Sequence, residues 1–102
     1  MASDPHVAYK TYFAPQGIGA DLIATKYGIS RQDCDAYAAR SHQRATAAWA
    51  EGKFDNEIIP VSIPQKKGDP IVFKKDEGVR GDATAESLST LRAIEKGGVV
   101  TA

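Results

Sequence analysis

The sequence predicts an α+β fold of about three helices and a β-hairpin, and three observations carry that prediction. A long amphipathic helical pattern opens on a capping signal at Ser30. After Asn56 the apolar period changes from helical to alternating. A threonine cap at Thr84 then introduces a last helical stretch. At 102 residues the chain fits one small domain. Its 42% hydrophobic and 25% charged residues are typical of a globular protein. A chain this short buries a modest core and leans on a larger partner surface for stability.

The first sixteen residues contain Pro5 and Pro15 and read as an extended N-terminal segment, with residues 17–102 forming the folded unit. From about Gly17, the run Ala20 to Tyr27 reads as a short helix closed by Gly28, which supplies left-handed geometry. In the next helix Ser30 is the N-cap and Asp33, three residues on, completes a capping-box pattern in which Asp replaces the usual Glu or Gln. Cys34, Tyr37, Ala38, Ala45, Ala48 and Trp49 share one stripe at helical spacing. Arg31, Gln32, Arg40, Gln43, Arg44 and Glu51 fall mostly elsewhere, as a solvated face does, and Gly52 marks the end.

From Glu57 to Ile63 the residues Ile59, Val61 and Ile63 alternate on one face, as in a strand. Pro60 has no N–H to donate, which makes the strand an edge or an irregular one. Gln65 to Asp69 reads as a turn and Ile71-Val72-Phe73 as the partner strand. Thr84 caps a third helix running to about Arg92, with Leu88 and Leu91 facing inward. After Gly97-Gly98, the run Val99 to Ala102 has strand composition and reads as a strand cut short.

Thirteen basic and thirteen acidic residues cancel, so there is no field to attract nucleic acid or an anionic membrane. No apolar run approaches the roughly 20 residues that span a bilayer. The first residues lack the basic and apolar pattern of a signal peptide. A single cysteine excludes an internal disulfide and fits a reducing compartment, so a cytoplasmic location is expected. His6 and His42 are far apart and no second cysteine exists, so no metal site is expected.

Cys34 is the one strong nucleophile type. The first turn of a helix favours a thiolate, but Asp33 and Asp35 on either side oppose it and no histidine lies near in sequence. It reads as a packed, inert cysteine. His42, mid-helix, reads as a surface or interface residue, and His6 as part of a tail. No catalytic constellation assembles from these residues. The loop from Asp76 to Asp82 has two readings. It is a solvated charged connection, or Arg80 and the start of the Thr84 helix contact a phosphate or nucleotide, with the Ser87 hydroxyl one turn away. Loop arginines are common, and the residues alone favour the first. Lys66 and Lys67 read as solubilising charges that protect a sheet edge.

Several blocks, in this order, resemble the middle of a thiolase, an acyl-CoA acyltransferase. They are Gly19 to Ala24, Tyr27 to Asp33, Asp35 to Ala38 and Ser41 to Ala45. They continue with Gly52 to Val61, Asp76-Glu77 followed by Arg80, then Thr84, Glu86-Ser87-Leu88, Leu91-Arg92 and Val100-Thr101-Ala102. The likeness runs from about Gln16 to the end, and it is the order and spacing of the blocks that make it specific. It implies a segment of the thiolase loop domain, which covers the active site and holds coenzyme A. By motif, Arg80 matches an arginine at the adenine end of coenzyme A and Ser87 a serine on its pantetheine arm. It also implies a parent enzyme that condenses or thiolytically cleaves β-ketoacyl-CoA, as a homodimer or homotetramer.

Family chemistry is ping-pong acyl transfer by an upstream cysteine, a downstream Gly-His-Pro histidine and a Cys-Gly cysteine. None of these motifs occurs in the 102 residues, and Cys34 matches no catalytic position. Pro15-Gln16 stands where short-chain thiolases often carry His-Met in the acyl pocket. Leu91-Arg92-Ala93-Ile94 shortens the family's Leu-Arg-Pro-Ala-Phe and omits its aromatic. Ala102 falls at the edge of a Thr-Ala-Gly-Asn-Ser-like turn. The expectation is a segment that helps to hold acyl-CoA without performing the reaction. The alternative is a non-catalytic coenzyme A- or lipid-binding or assembly module.

Overall fold

The computed structural model describes residues 4–10 and 14–101. Within them lie α1 (Pro5–Lys10), α2 (Gln16–Tyr27), α3 (Arg31–Ala50), β1 (Val61–Ile63), β2 (Ile71–Phe73) and α4 (Ala85–Ser89). The α+β architecture is the expected one, with one helix more than expected among the described residues. That helix corrects the extended reading over Pro5–Lys10, while residues 1–3 and 11–13 of that segment lie outside the described residues. Asp4 accepts from the His6 N–H at 2.9 Å and the Val7 N–H at 3.4 Å, and Pro5 occupies the first helical position, where its missing N–H costs nothing.

The local signals at the next two helices act as read. Gly28, at φ 66°, ends α2, and the Ile29 N–H reaches back to the Ala24 carbonyl at 2.9 Å. The Ser30 hydroxyl accepts from the Asp33 N–H at 3.0 Å while the Asp33 carboxylate accepts from the Ser30 N–H at 3.2 Å. At the far end Gly52, at φ 72°, lets the Lys53 and Gly52 N–H groups bond the Ala48 and Trp49 carbonyls at 3.0 and 3.1 Å, a Schellman motif. The Trp49 ring then meets Phe54 at 5.2 Å between centroids.

The inner face of α3 is rotated from the expected stripe. Cys34, Ala38, Ala45, Ala48 and Trp49 are half-buried, but Tyr37 is 69% exposed and its ring lies beside the Arg40 guanidinium, 5.4 Å from the centroid. The most buried residues of the helix are Asp35 and Ala39. Arg31, expected on the solvated face, is half-buried and ion-paired with Asp35. The seam is thus centred on Arg31, Asp35, Ala39 and His42, at spacings of three and four. The burial keeps the helical period, with an ion pair at the centre of the face where an apolar residue is expected.

β1 and β2 pair antiparallel in the register Val61 with Phe73, Ser62 with Val72 and Ile63 with Ile71. β1 is shorter than the Glu57–Ile63 reading. Residues through Glu57 turn, and Pro60 offers no donor to the ladder. All six strand residues are exposed. α4 likewise stops at Ser89, not near Arg92, because other donors satisfy its last carbonyls. The Ser89 and Thr90 hydroxyls donate to the Glu86 and Ser87 carbonyls at 2.6 and 2.8 Å, and Arg31 takes that of Leu88 and, beyond the helix, that of Leu91. Leu91 is correspondingly 38% exposed, not inward.

The chain then doubles back. Gly97 adopts φ 79°, Ala93 bridges Thr101 antiparallel, and the Ile94 N–H donates to the Val100 carbonyl at 2.9 Å. The strand-like composition of 99–101 therefore has a partner in its own preceding residues. Asp21 of α2 anchors this turn, its Oδ1 accepting from the Val99 and Val100 N–H groups at 2.8 and 3.1 Å. The expectation for Ala102 lies outside the described residues.

The core is thin. Only Ala24, Ala39 and Ala83 are buried apolar residues among those described, while Leu22, Ile23, Val61, Ile71 and Val72 are each more than half exposed. The radius of gyration is 18.9 Å, against about 13 Å for a compact chain of this size. The second helix and the hairpin thus present large apolar side chains outward.

Candidate functional site

The connection from β2 to α4 is the expected site, and its local fold is dictated by short polar contacts. The Asp76 carboxylate accepts from the Gly78 N–H at 2.7 Å, tightening the first turn. The Arg80 carbonyl accepts from the Ala83 N–H at 3.2 Å, and Ala83 is buried. Thr84 then caps α4. Its hydroxyl accepts from the Ser87 N–H at 3.0 Å, and the Ser87 hydroxyl accepts from the Thr84 N–H at 3.0 Å.

Two contacts seat this strip on α3. At one end the Arg80 N–H donates to His42 Nδ1 at 3.1 Å. A Cβ on the next residue, Gly81, would lie 3.3 Å from the Thr46 side chain, so the backbone passes close over the helix. At the other end Arg31 reaches across. Its Nε is 3.0 Å from both Asp35 carboxylate oxygens, and its Nη2 donates to the Leu88 and Leu91 carbonyls at 2.7 and 2.8 Å. Between loop and helix lies an open groove of about 410 Å³ lined by Thr46, Trp49, Ala50, Lys75, Val79 and Gly81.

Arg80 and Ser87 stand on either side of the Thr84 cap, on one continuous strip. The Arg80 side chain is exposed, and its guanidinium makes no hydrogen bond or ion pair with any described residue. It is therefore available to an outside anion or ring. Ser87 is differently placed. Its hydroxyl proton is directed at the Thr84 carbonyl at 3.0 Å, and one lone pair takes the Thr84 N–H. A hydroxyl has one donor and two acceptor sites, so one acceptor position remains for a ligand donor.

The remaining reactive side chains do not converge. Cys34 is half-buried in the first turn of α3. His42, eight residues further along the same helix, is about 12 Å away at 1.5 Å per residue. His42 is half-buried and engaged with the Arg80 backbone, and His6 lies exposed on α1. Among the described residues no three His, Cys, Asp or Glu side chains are grouped to hold a metal ion. No described helix is long and apolar enough to cross a membrane.

Sequence reasoning missed four residues that hold the fold around and beyond this strip. Arg31 and Asp35 sit at the i,i+4 spacing that pairs opposite charges on a helix, a signal present in the sequence. His42 continues the same spacing. Asp21, which holds the 99–100 backbone, gives no sequence signal because its partners are 78 and 79 residues away.

Known proteins resemble this chain closely. A probable acetyl-CoA acyltransferase of Staphylococcus aureus (strain COL) is 55% identical over 87 residues, which is 84% of this chain and 22% of that protein. A probable acetyl-CoA acetyltransferase of Mycolicibacterium smegmatis is 57% identical over 104 aligned positions, covering 95% of this chain and 26% of that one. Among solved structures, acetyl-CoA acetyltransferase from Syntrophomonas wolfei superposes with a TM-score of 0.78 at 50% identity, over 84% of this chain and 22% of its own. The chain thus spans about a quarter of the length of these relatives. The family model for the thiolase N-terminal domain matches residues 4–102, reaching further towards the N-terminus than the blocks that begin near Gln16. With the α+β fold, these matches identify the chain as a member of the thiolase family, a segment of its N-terminal domain.

Proposed function

We propose that this segment forms part of the coenzyme A-holding surface of a thiolase that condenses or thiolytically cleaves β-ketoacyl-CoA. In this reading Arg80 contacts the adenine end of the coenzyme and Ser87 accepts a hydrogen bond from its pantetheine arm. The observation that carries it is the unpaired Arg80 guanidinium on a loop whose backbone is held to α3. A guanidinium suits either the phosphate oxygens or the purine face, and an ordered backbone reduces the cost of binding. The outward apolar faces are those the segment packs against the rest of such an enzyme. Within α3, Cys34 and His42 are too far apart to act as a pair. In this reading the segment's part is binding, and bond-making belongs to other residues of the enzyme.

Arg80→Ala in the full-length enzyme tests the reading. Removing a contact made equally in ground and transition states raises KM and leaves kcat nearly unchanged. A charge-assisted contact predicts a KM for acyl-CoA raised about tenfold. An unchanged KM removes Arg80 from the site.

A further inference from the structure

We infer that His42 is the positioning residue of the Arg80 contact, acting through the Arg80 backbone and not by touching the coenzyme. The inference rests on the proposed role of Arg80. His42 lies on the inner seam of α3, half-buried, with Nδ1 3.1 Å from the Arg80 amide nitrogen. The donor there is a backbone N–H, so the ring atom facing it must carry a lone pair. That contact makes Nδ1 of His42 an acceptor fixed in the middle of the helix.

The contact reaches the residue that matters. Arg80 is tied on its carbonyl side by the local bond from Ala83, and Gly81 rests on Thr46. Its amide side has only the imidazole. Without it, the stretch from Gly78 to Arg80 keeps the Asp76 turn but loses its polar tie to α3. The Cα–Cβ direction of Arg80, and with it the guanidinium, is then free to swing. An arginine already held in place loses less freedom on binding than one on a loose loop, so the imidazole adds affinity without adding a ligand contact. The charged groups nearby in sequence are Arg40 and Arg44 on α3 and Asp76, Glu77 and Asp82 on the loop, and none of them supplies this acceptor.

The test compares His42→Leu, which removes the acceptor, with His42→Asn, whose amide oxygen reproduces an acceptor near the Nδ1 position. Each is made in the full-length enzyme, with and without Arg80→Ala, and KM, kcat and Tm are measured. His42→Leu is expected to raise the KM for acyl-CoA about 2- to 10-fold, the value of one hydrogen bond, with kcat little changed. His42→Asn is expected to stay within about twofold of the parent, since it keeps that bond. In the Arg80→Ala background, His42→Leu should cause no further rise, because the group it positions is gone. Equal damage from Leu and Asn, a collapse of Tm with Leu, or the same KM rise without the arginine would each overturn the inference. If Arg80→Ala by itself leaves KM unchanged, it is the coenzyme A reading that fails, and this is seen separately.

Discussion

Replacing Arg31 with methionine isolates the contact that holds α4 in place. α4 has five residues, too short to be stable alone, so its order depends on caps and tertiary ties. Arg31 bonds both oxygens of Asp35, the Leu88 carbonyl in α4 and the Leu91 carbonyl just beyond it, while Asp35 is only 4% exposed. Removing one partner of a buried pair costs about 3–5 kcal/mol because the other charge stays behind. The Arg31 side chain is 26% exposed, which lets water reach the vacated carboxylate, and the Leu88 carbonyl keeps its bond from the Leu91 N–H at 3.1 Å. Both facts reduce the cost to about 2–4 kcal/mol.

That energy corresponds to local opening about 30- to 1,000-fold more frequent. Hydrogen exchange at the amides of residues 88–91 in the intact protein reads it directly. Adding Asp35→Leu to Arg31→Met removes the stranded charge and should restore part of the loss. Exchange within about threefold of the parent, or a double variant looser than the single one, refutes the assignment of this pair as the tie between α3 and α4.

Two further outcomes follow from the geometry. A Cβ at Gly98 would lie 2.9 Å from the Asp21 carboxyl carbon, so Gly98→Ala should displace the carboxylate that accepts from Val99 and Val100. The cost is about 1–3 kcal/mol, seen as faster exchange of those two amides, and unchanged exchange contradicts it. The 102 residues alone, assayed for thiolysis of a β-ketoacyl-CoA, should show no turnover above buffer, and robust turnover refutes the division between binding and chemistry.

Local chemistry was legible wherever one residue speaks for its own backbone. Ser30 with Asp33, Gly28, Gly52 and Thr84 each terminate or open a helix as their side chains or missing side chains require. Asp4 and Pro5 carry an equally clear start signal, obscured because two prolines in sixteen residues suggested an extended segment. Less was legible where a polar group faces inward. Arg31 and Asp35 are ordinary surface residues by type, and only their partners on α4 and just beyond it, 57 and 60 residues away, show that they are not. The site divides the same way. Block order pointed to Arg80 and Ser87, whereas the capping duty that uses most of the Ser87 hydroxyl and the hold of His42 on Arg80 emerge only from the folded chain.

The most direct measurement of the central claim compares two substrates on one variant. Acyl-CoA carries the adenine nucleotide, and the matching acyl-pantetheine lacks it. If Arg80 binds the adenine end, Arg80→Ala raises the KM for acyl-CoA about tenfold and leaves the KM for acyl-pantetheine unchanged. Equal effects on both substrates, or none on either, would contradict the account.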